Sequence, residues 1–279
     1  MTWEERLAAI DPRLIYALLF LTTLAPLVFG WRLPLYVTED ARSLCRVVEA
    51  LPPDRIVVLS SNWEAGTQAE SRPQMVALVR HLLRRRIRFA ILSVAYATSP
   101  QLAEDAVEEA ARAEGHGSYG VDFCNWGYRV SSAPWLQALA QDLRKTIGTD
   151  WKERPLDELP MMHGVHTFKE NVSLLIDITG SATVDDWISL VHAPTGVSIG
   201  YACTAVMAPE AYPRLDSGQL VGMLIGMRGA AEYEELIGAP GFALTAMAGK
   251  SFAHEFILAL ILLANLPILA AAVRRGRRV

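Results

Sequence analysis

The sequence predicts an α/β chain: a Rossmann-like three-layer domain with a mostly parallel sheet of about five strands, flanked by N- and C-terminal transmembrane helices. Three observations predict it. Short apolar runs without polar alternation recur through the middle of the chain, as in RIVVLS, RFAILSV and VSLLIDI, and such runs suit strands buried on both faces. Stretches of helical period separate them, which is the βα alternation of a parallel sheet. Finally, the mean hydropathy of +0.22 is high for a soluble protein, and two uncharged blocks at the ends account for it.

The first block runs from Leu14 to Trp31, bounded by Arg13 and Arg32. At about 1.5 Å per residue it reaches roughly 27 Å, close to the hydrocarbon thickness of a bilayer. Tyr16 and Trp31 sit where interfacial anchors belong. A cleaved signal peptide is the competing reading, but the flanks lack a small-x-small cleavage site. The second block, Phe256 to Val273, is followed by Arg274, Arg275, Arg277 and Arg278. A buried C-terminal helix would not need apolar residues on every face and then a basic tail, so the block reads as a stop-transfer anchor. The expected topology has residues 1–13 cytoplasmic, spans at 14–31 and 256–273, the body 32–255 outside the cytoplasm, and a basic cytoplasmic tail at 274–279.

Within the body, Thr38–Ala50 reads as a helix with Glu39 and Asp40 in its first turn. Arg55–Ser60 and Arg88–Val94 read as strands, with a helix at Ser71–Arg86 between them. Ser99-Pro100 opens the next helix. Residues 118–124 form a weaker strand, Ala133–Ile147 a helix, and 150–170 an irregular segment. Val172–Ile178 is the clearest strand, followed by a short helix at Thr183–Val191 and a strand at Gly196–Val206. The stretch Asp216–Leu236 reads as one helix. Strand order is not readable.

Composition narrows the function. With 52% apolar residues over 279 positions, the chain can bury a core and is not a disordered segment. Its net charge of −4 includes the arginine tail, so the body is more acidic still, which argues against a nucleic-acid partner. Cys45, Cys124 and Cys203 are far apart and form no CxxC pair; a zinc site or disulfide framework is not indicated, while one Cys124–Cys203 bridge is compatible with the spacing. No motif specifies a cofactor. Gly115-x-Gly117-x-x-Gly120 has dinucleotide-loop spacing but precedes a strand rather than following one. His163 and His166 have no third ligand at metal spacing.

Ligands of open parallel sheets gather beyond the carboxyl ends of the strands. The candidate ligand-binding residues are therefore Ser61, Asn62, Trp63 and Glu64 after the first strand, Asp122, Asn125 and Trp126 around the third, and Asp177, Thr179 and Ser181 after the fourth. Glu64, Asp122 and Asp177 would suit a hard cation if they converged; otherwise each caps a helix or solvates a loop. The run Asp177–Ser181, DITGS, resembles the metal-ion-dependent adhesion motif of von Willebrand A domains, whose Asp and hydroxyls imply bound magnesium. The resemblance covers these five residues and the strand before them. In that family the motif follows the first strand; here it falls late in the body, so the family's topology is not matched.

Gly218, Gly222 and Gly226 recur every fourth residue, with Gly229 beyond them. On one helix they would cost about 3 kcal/mol against alanine, which a close backbone approach must offset. The neighbour is either the domain's own sheet or another subunit. The expected function is a membrane-anchored, non-enzymatic subunit, held in the lipid bilayer by two spans and assembling with itself or another membrane protein. The alternatives are a metal-assisted hydrolase using Glu64, Asp122 and Asp177, or a small-ligand receptor with Trp63 and Trp126 as stacking surfaces.

Overall fold

Strands β1 (Ile56–Asn62), β2 (Phe89–Ser93), β3 (Phe123–Tyr128), β4 (Val172–Thr179), β5 (Ser198–Cys203) and β6 (Met223–Ile225) form one sheet. Their order is β3-β2-β1-β4-β5-β6, and every neighbouring pair is parallel. This is the doubly wound order. The computed structural model describes residues 10–276, with side chains as far as residue 266. Residues 1–9, most of the expected cytoplasmic N-terminus, and Arg277 and Arg278 lie outside the described residues.

Every residue of β1 and β2 is buried, as their unbroken apolar runs predict. Alternate residues serve opposite faces. Ile56 and Val58 join one core, with Trp187, Ile199 and Tyr201; Val57 and Leu59 join the other, with Leu44, Leu78 and Tyr233. Each large aliphatic side chain fully buried in this way contributes about 1.5–3 kcal/mol. The second core is covered by α2 (Glu39–Glu49), α3 (Gln68–Arg84), α4 (Ser99–Glu114) and α10 (Gly226–Leu236). The first is covered by α5 (Ala133–Gln141), α6 (Leu143–Ile147), α8 (residues 184–195) and α9 (Ala208–Asp216), with buried residues of the segment 156–168. A further short helix, α7 (Phe168–Asn171), leads into β4.

The expected helix over 133–147 is broken at Asp142. Its backbone leaves the helical region and its carboxylate caps the next turn by accepting from the Lys145 amide at 2.9 Å. The weak strand expected at 118–124 begins at Phe123 instead. Ser118–Asp122 is a turn closed by a 2.7 Å bond from the Ser118 amide to the Asp122 carboxylate.

The largest correction concerns 216–236. This stretch is not one helix: Gly218 is a turn residue with φ of 77°, Gly222 precedes β6, and only Gly226 and Gly229 lie in α10. The sheet therefore has six strands rather than five, and the glycines share no helix face. The close backbone approach is nonetheless present inside the domain. A Cβ on Gly222 would lie 2.8 Å from the Leu44 Cα, and one on Gly229 would lie 2.8 Å from the Leu224 Cα. The two glycines let α2 and α10 settle onto the end of the sheet.

The chain forms two compact units, Leu35–Ala243 and the paired terminal segments. In the terminal unit, α1 (Pro12–Phe29) opens on Asp11, which caps the Arg13 amide, and closes at Gly30 in the left-handed region. The other helix, α11 (Phe242–Gly276), begins ahead of the apolar block at Phe256. At about 1.5 Å per residue its 35 residues extend roughly 52 Å. Both helices contain windows long and apolar enough to cross a bilayer. They touch where Gly249 meets Thr23: a Cβ on the glycine would lie 2.9 Å from the Thr23 carbonyl oxygen. Trp31 lies between the rings of Phe29 and Phe252, each centroid 5.8 Å away.

Replacing Gly222 with Leu should overfill the α2–β6 contact and lower thermal stability by at least the 1–3 kcal/mol typical of overpacking. Gly66→Ala, where no atom lies within 4 Å of the added Cβ, should leave the melting transition unchanged. A Gly222→Leu protein that melts like the parent would contradict this packing.

Candidate functional site

The order of the sheet reverses between β1 and β4. The crossover after β1 runs through α3 on one face, and that after β4 runs through α8 on the other. In doubly wound sheets this junction is where ligands bind. Register then decides which side chains meet there. Ser60 is paired with Asp177 and Asn62 with Thr179, while Asp177 is paired on its other side with Tyr201. Paired residues project to the same face, so the polar ends of β1 and β4 lie side by side.

Asp177 is the centre of the cluster and is fully buried. One oxygen, Oδ1, accepts from Ser60 Oγ at 2.9 Å and from Asn62 Nδ2 at 2.9 Å; Oδ2 accepts from Thr183 Oγ1 at 2.7 Å. The indole N–H of Trp187 also favours the ionised carboxylate. Burial outweighs the neutral donors and pushes the carboxyl up to about 6.

Asn62 extends the cluster. Its Oδ1 accepts from the amides of Val94 and Ala95 at 2.8 and 3.1 Å, and its carbonyl accepts from the Gly180 amide at 3.3 Å. Thr179 accepts the Ser181 amide at 2.8 Å on Oγ1, and its carbonyl takes the Thr204 amide at 3.3 Å. The carboxyl ends of β1, β2, β4 and β5 are thus fastened to one another. Access to the cluster is from the 180–183 loop, where Gly180, Ser181 and Thr183 are half-buried.

Of the residues singled out from sequence, Asn62, Asp177, Thr179 and Ser181 come together here. Ser61 belongs to β1 but bonds elsewhere: its hydroxyl lies 3.0 Å from Ser99 Oγ, and its carbonyl accepts from Ser93 and Ser99. Trp63 is fully buried in the core beneath α3, whereas Trp126 is fully buried in the opposite core. They form no shared stacking surface. Glu64 is exposed in the turn that leads to α3. Asp122 precedes β3, at the amino end of the sheet rather than the carboxyl end. Asn125 lies within β3 and bonds to the Pro100 carbonyl, Glu104 and the Gly127 amide.

The expected convergence of Glu64, Asp122 and Asp177 is therefore absent. Among the described residues no group of three or more His, Cys, Asp or Glu side chains is placed to hold a metal. The donor set at Asp177 also fits a cation poorly, because N–H and O–H donors already point at both of its oxygens. Cys124 and Cys203 are free thiols in β3 and β5, which are not neighbouring strands. Burial holds both thiols well above their ordinary range.

Sequence reasoning did not select Ser60 or Thr183. Ser60 becomes a ligand of Asp177 only through the β1–β4 register, which needs the strand order. Thr183 carried a readable signal, since D-x-T-x-S-x-T places hydroxyls at alternate positions after Asp177. Two cavities lie away from the junction. One of about 830 Å³ is lined by Gln141, Lys169 and Pro194, and one of about 480 Å³ by Arg72, Val76 and Pro240. No family model and no curated protein matches this chain.

A second buried titratable group lies across the sheet. His81 of α3 bonds through Nδ1 to the Tyr233 hydroxyl and through Nε2 to Glu49, both at 2.8 Å, tying α3 to α10 and α2. A neutral imidazole satisfies both partners, one as donor and one as acceptor. Burial lowers its pKa despite Glu49. The unfolded chain therefore takes up a proton below about pH 6.5 that the folded chain resists, so stability falls as pH drops through that value. In full-chain thermal unfolding between pH 8 and pH 5, His81→Gln should show a smaller acid loss than the parent. Identical pH slopes would contradict this assignment.

Proposed function

We propose that this chain is a two-span membrane-anchored subunit whose α/β domain works by assembly and recognition. The observation that carries the reading is the terminal pair of apolar helices. Leu14, Phe20, Leu21, Val28, Leu258 and Leu262 leave apolar surface uncovered. In a bilayer core, polar side chains must find partners within the protein. Four of those in the helices do so on their own backbone: Thr22 and Thr23 bond to the Leu19 carbonyl, Ser251 to Met247 and Asn265 to Ile261. Small-residue packing of Gly249 on Thr23 is the type of contact that joins helices in lipid. Since Gly222, Gly226 and Gly229 find their close contacts inside the domain, the assembly surface in this reading is the uncovered face of the helices, which meets lipid, a second copy or another membrane protein. In this reading the basic tail, under the positive-inside rule, argues for cytoplasmic termini and a domain on the other side of the membrane.

A second reading, a receptor for a small polar ligand, is supported by the half-buried 180–183 loop at the sheet junction. A hydrolase reading has less support, because Glu64 and Asp122 do not reach Asp177 and the nearby hydroxyls serve the strand ends.

The three native cysteines are buried, and burial raises Cys45 to about 11 and Cys203 to about 12, so thiolate reagents should pass them by. An exposed thiol introduced by Ser217→Cys should react with a membrane-impermeant maleimide from outside intact cells. The parent should stay unlabelled, and alkaline carbonate should leave the protein in the membrane pellet. Labelling only after lysis would overturn the orientation, and extraction into the supernatant would overturn the anchors.

A further inference from the structure

We propose that Asp177 is a proton-binding switch, loaded from solvent through the Thr183 hydroxyl, that sets the hydrogen-bonding state of the 180–183 loop. Three features of the geometry support it. The carboxylate is fully buried and faces only neutral groups: Ser60 and Asn62 from β1, Trp187 from α8, and Tyr201 and Cys203 from β5. Burial keeps the phenol and the thiol protonated through the neutral range. The charged groups of the covering helices that act on Tyr201, Asp185 and Arg214, are paired with each other at 2.6 Å. Among the described residues only neutral groups bond to the carboxylate, so a proton is what neutralises it.

A route for the proton also exists. Thr183 Oγ1 is 2.7 Å from Asp177 Oδ2 and 3.2 Å from Thr179 Oγ1, which is 2.9 Å from Ser181 Oγ. Thr183 is itself half-buried. It takes a proton from water and gives its own to Oδ2. The hydroxyl gains and loses one proton, and the carboxylate becomes a neutral acid.

The third feature is the consequence of loading. Oδ1 keeps its bonds from Ser60 and Asn62, because an acid's carbonyl oxygen still accepts. Oδ2, once protonated, must donate, so its bond to Thr183 reverses and the Thr183 proton turns toward Thr179. The change falls on the loop, while the strand ends stay fastened. Because burial raises the acid, the folded chain holds this proton from about pH 6 down to the ordinary carboxyl range. The Asp177 contribution to stability therefore grows as pH falls through that window and is lost as pH rises through about 6. The His81 contribution runs the other way, so the two are separable by variant.

The test is a pH titration of tryptophan fluorescence on the full chain in detergent, with Trp187 as the reporter beside the carboxylate. The parent and His81→Gln should show a transition with a midpoint near 6, and Asp177→Asn should lose it. Thr183→Val keeps the acid but removes a donor to its ionised form, so its midpoint should move upward. Curves shared by the parent and a folded Asp177→Asn would overturn the proposal. If Asp177→Asn does not fold, an unmoved midpoint in Thr183→Val overturns it. Excess magnesium should leave the parent midpoint in place; a downward shift would mean that a cation competes for the carboxylate, and would overturn a proton-specific site.

Discussion

A carboxylate buried at the junction of β1 and β4, without a cation beside it, is the constraint around which the carboxyl end of the domain is arranged. An isolated buried charge is costly unless hydrogen bonds surround it. Asp177 meets that requirement with neutral donors drawn from two strands and the loop before α8. Asn62 then spends its remaining acceptor on the chain leaving β2, and Thr179 reaches the chain leaving β5. Satisfying one charge thus fixes the ends of four strands. The same donor shell explains why the junction suits a proton better than a metal ion.

Much of the fold could be read from the residues. Unbroken apolar runs identified β1, β2, β4 and β5, and their lack of alternation announced helices on both faces. What failed, failed for physical reasons. Residues 223–225 make a strand too short to show a period, and it runs without a break into α10, so strand and helix merged into one apparent helix. The regular glycine spacing reinforced that error. Gly222 is instead small because the Leu44 backbone lies against it, and Gly218 because the turn needs its positive φ.

The site was half legible. Asp177, Thr179 and Ser181 announce themselves as a polar run after an apolar strand, and Asn62 ends another. Their meeting depends on strand order, a property of pairing that no local pattern carries. Asp122 misled because β3 starts five residues later than its weak pattern suggested, which moves the acid from one end of the sheet to the other. Trp63 and Trp126 misled because position near a strand end does not distinguish a side chain that lines a cleft from one that fills a core. The two long apolar helices at the ends were easier to read, because their apolar runs are long.

Amide hydrogen exchange, followed residue by residue on the full chain, tests most directly whether one carboxylate fastens the strand ends. The amides of Val94 and Ala95 rest on Asn62, that of Ser181 on Thr179 and that of Thr204 on the Thr179 carbonyl. If they belong to one network, they open together with a common free energy, and Asp177→Asn lowers the protection of all four while that of β3 amides stays as in the parent. Four unrelated opening energies, or protection left intact by the substitution, would contradict the account.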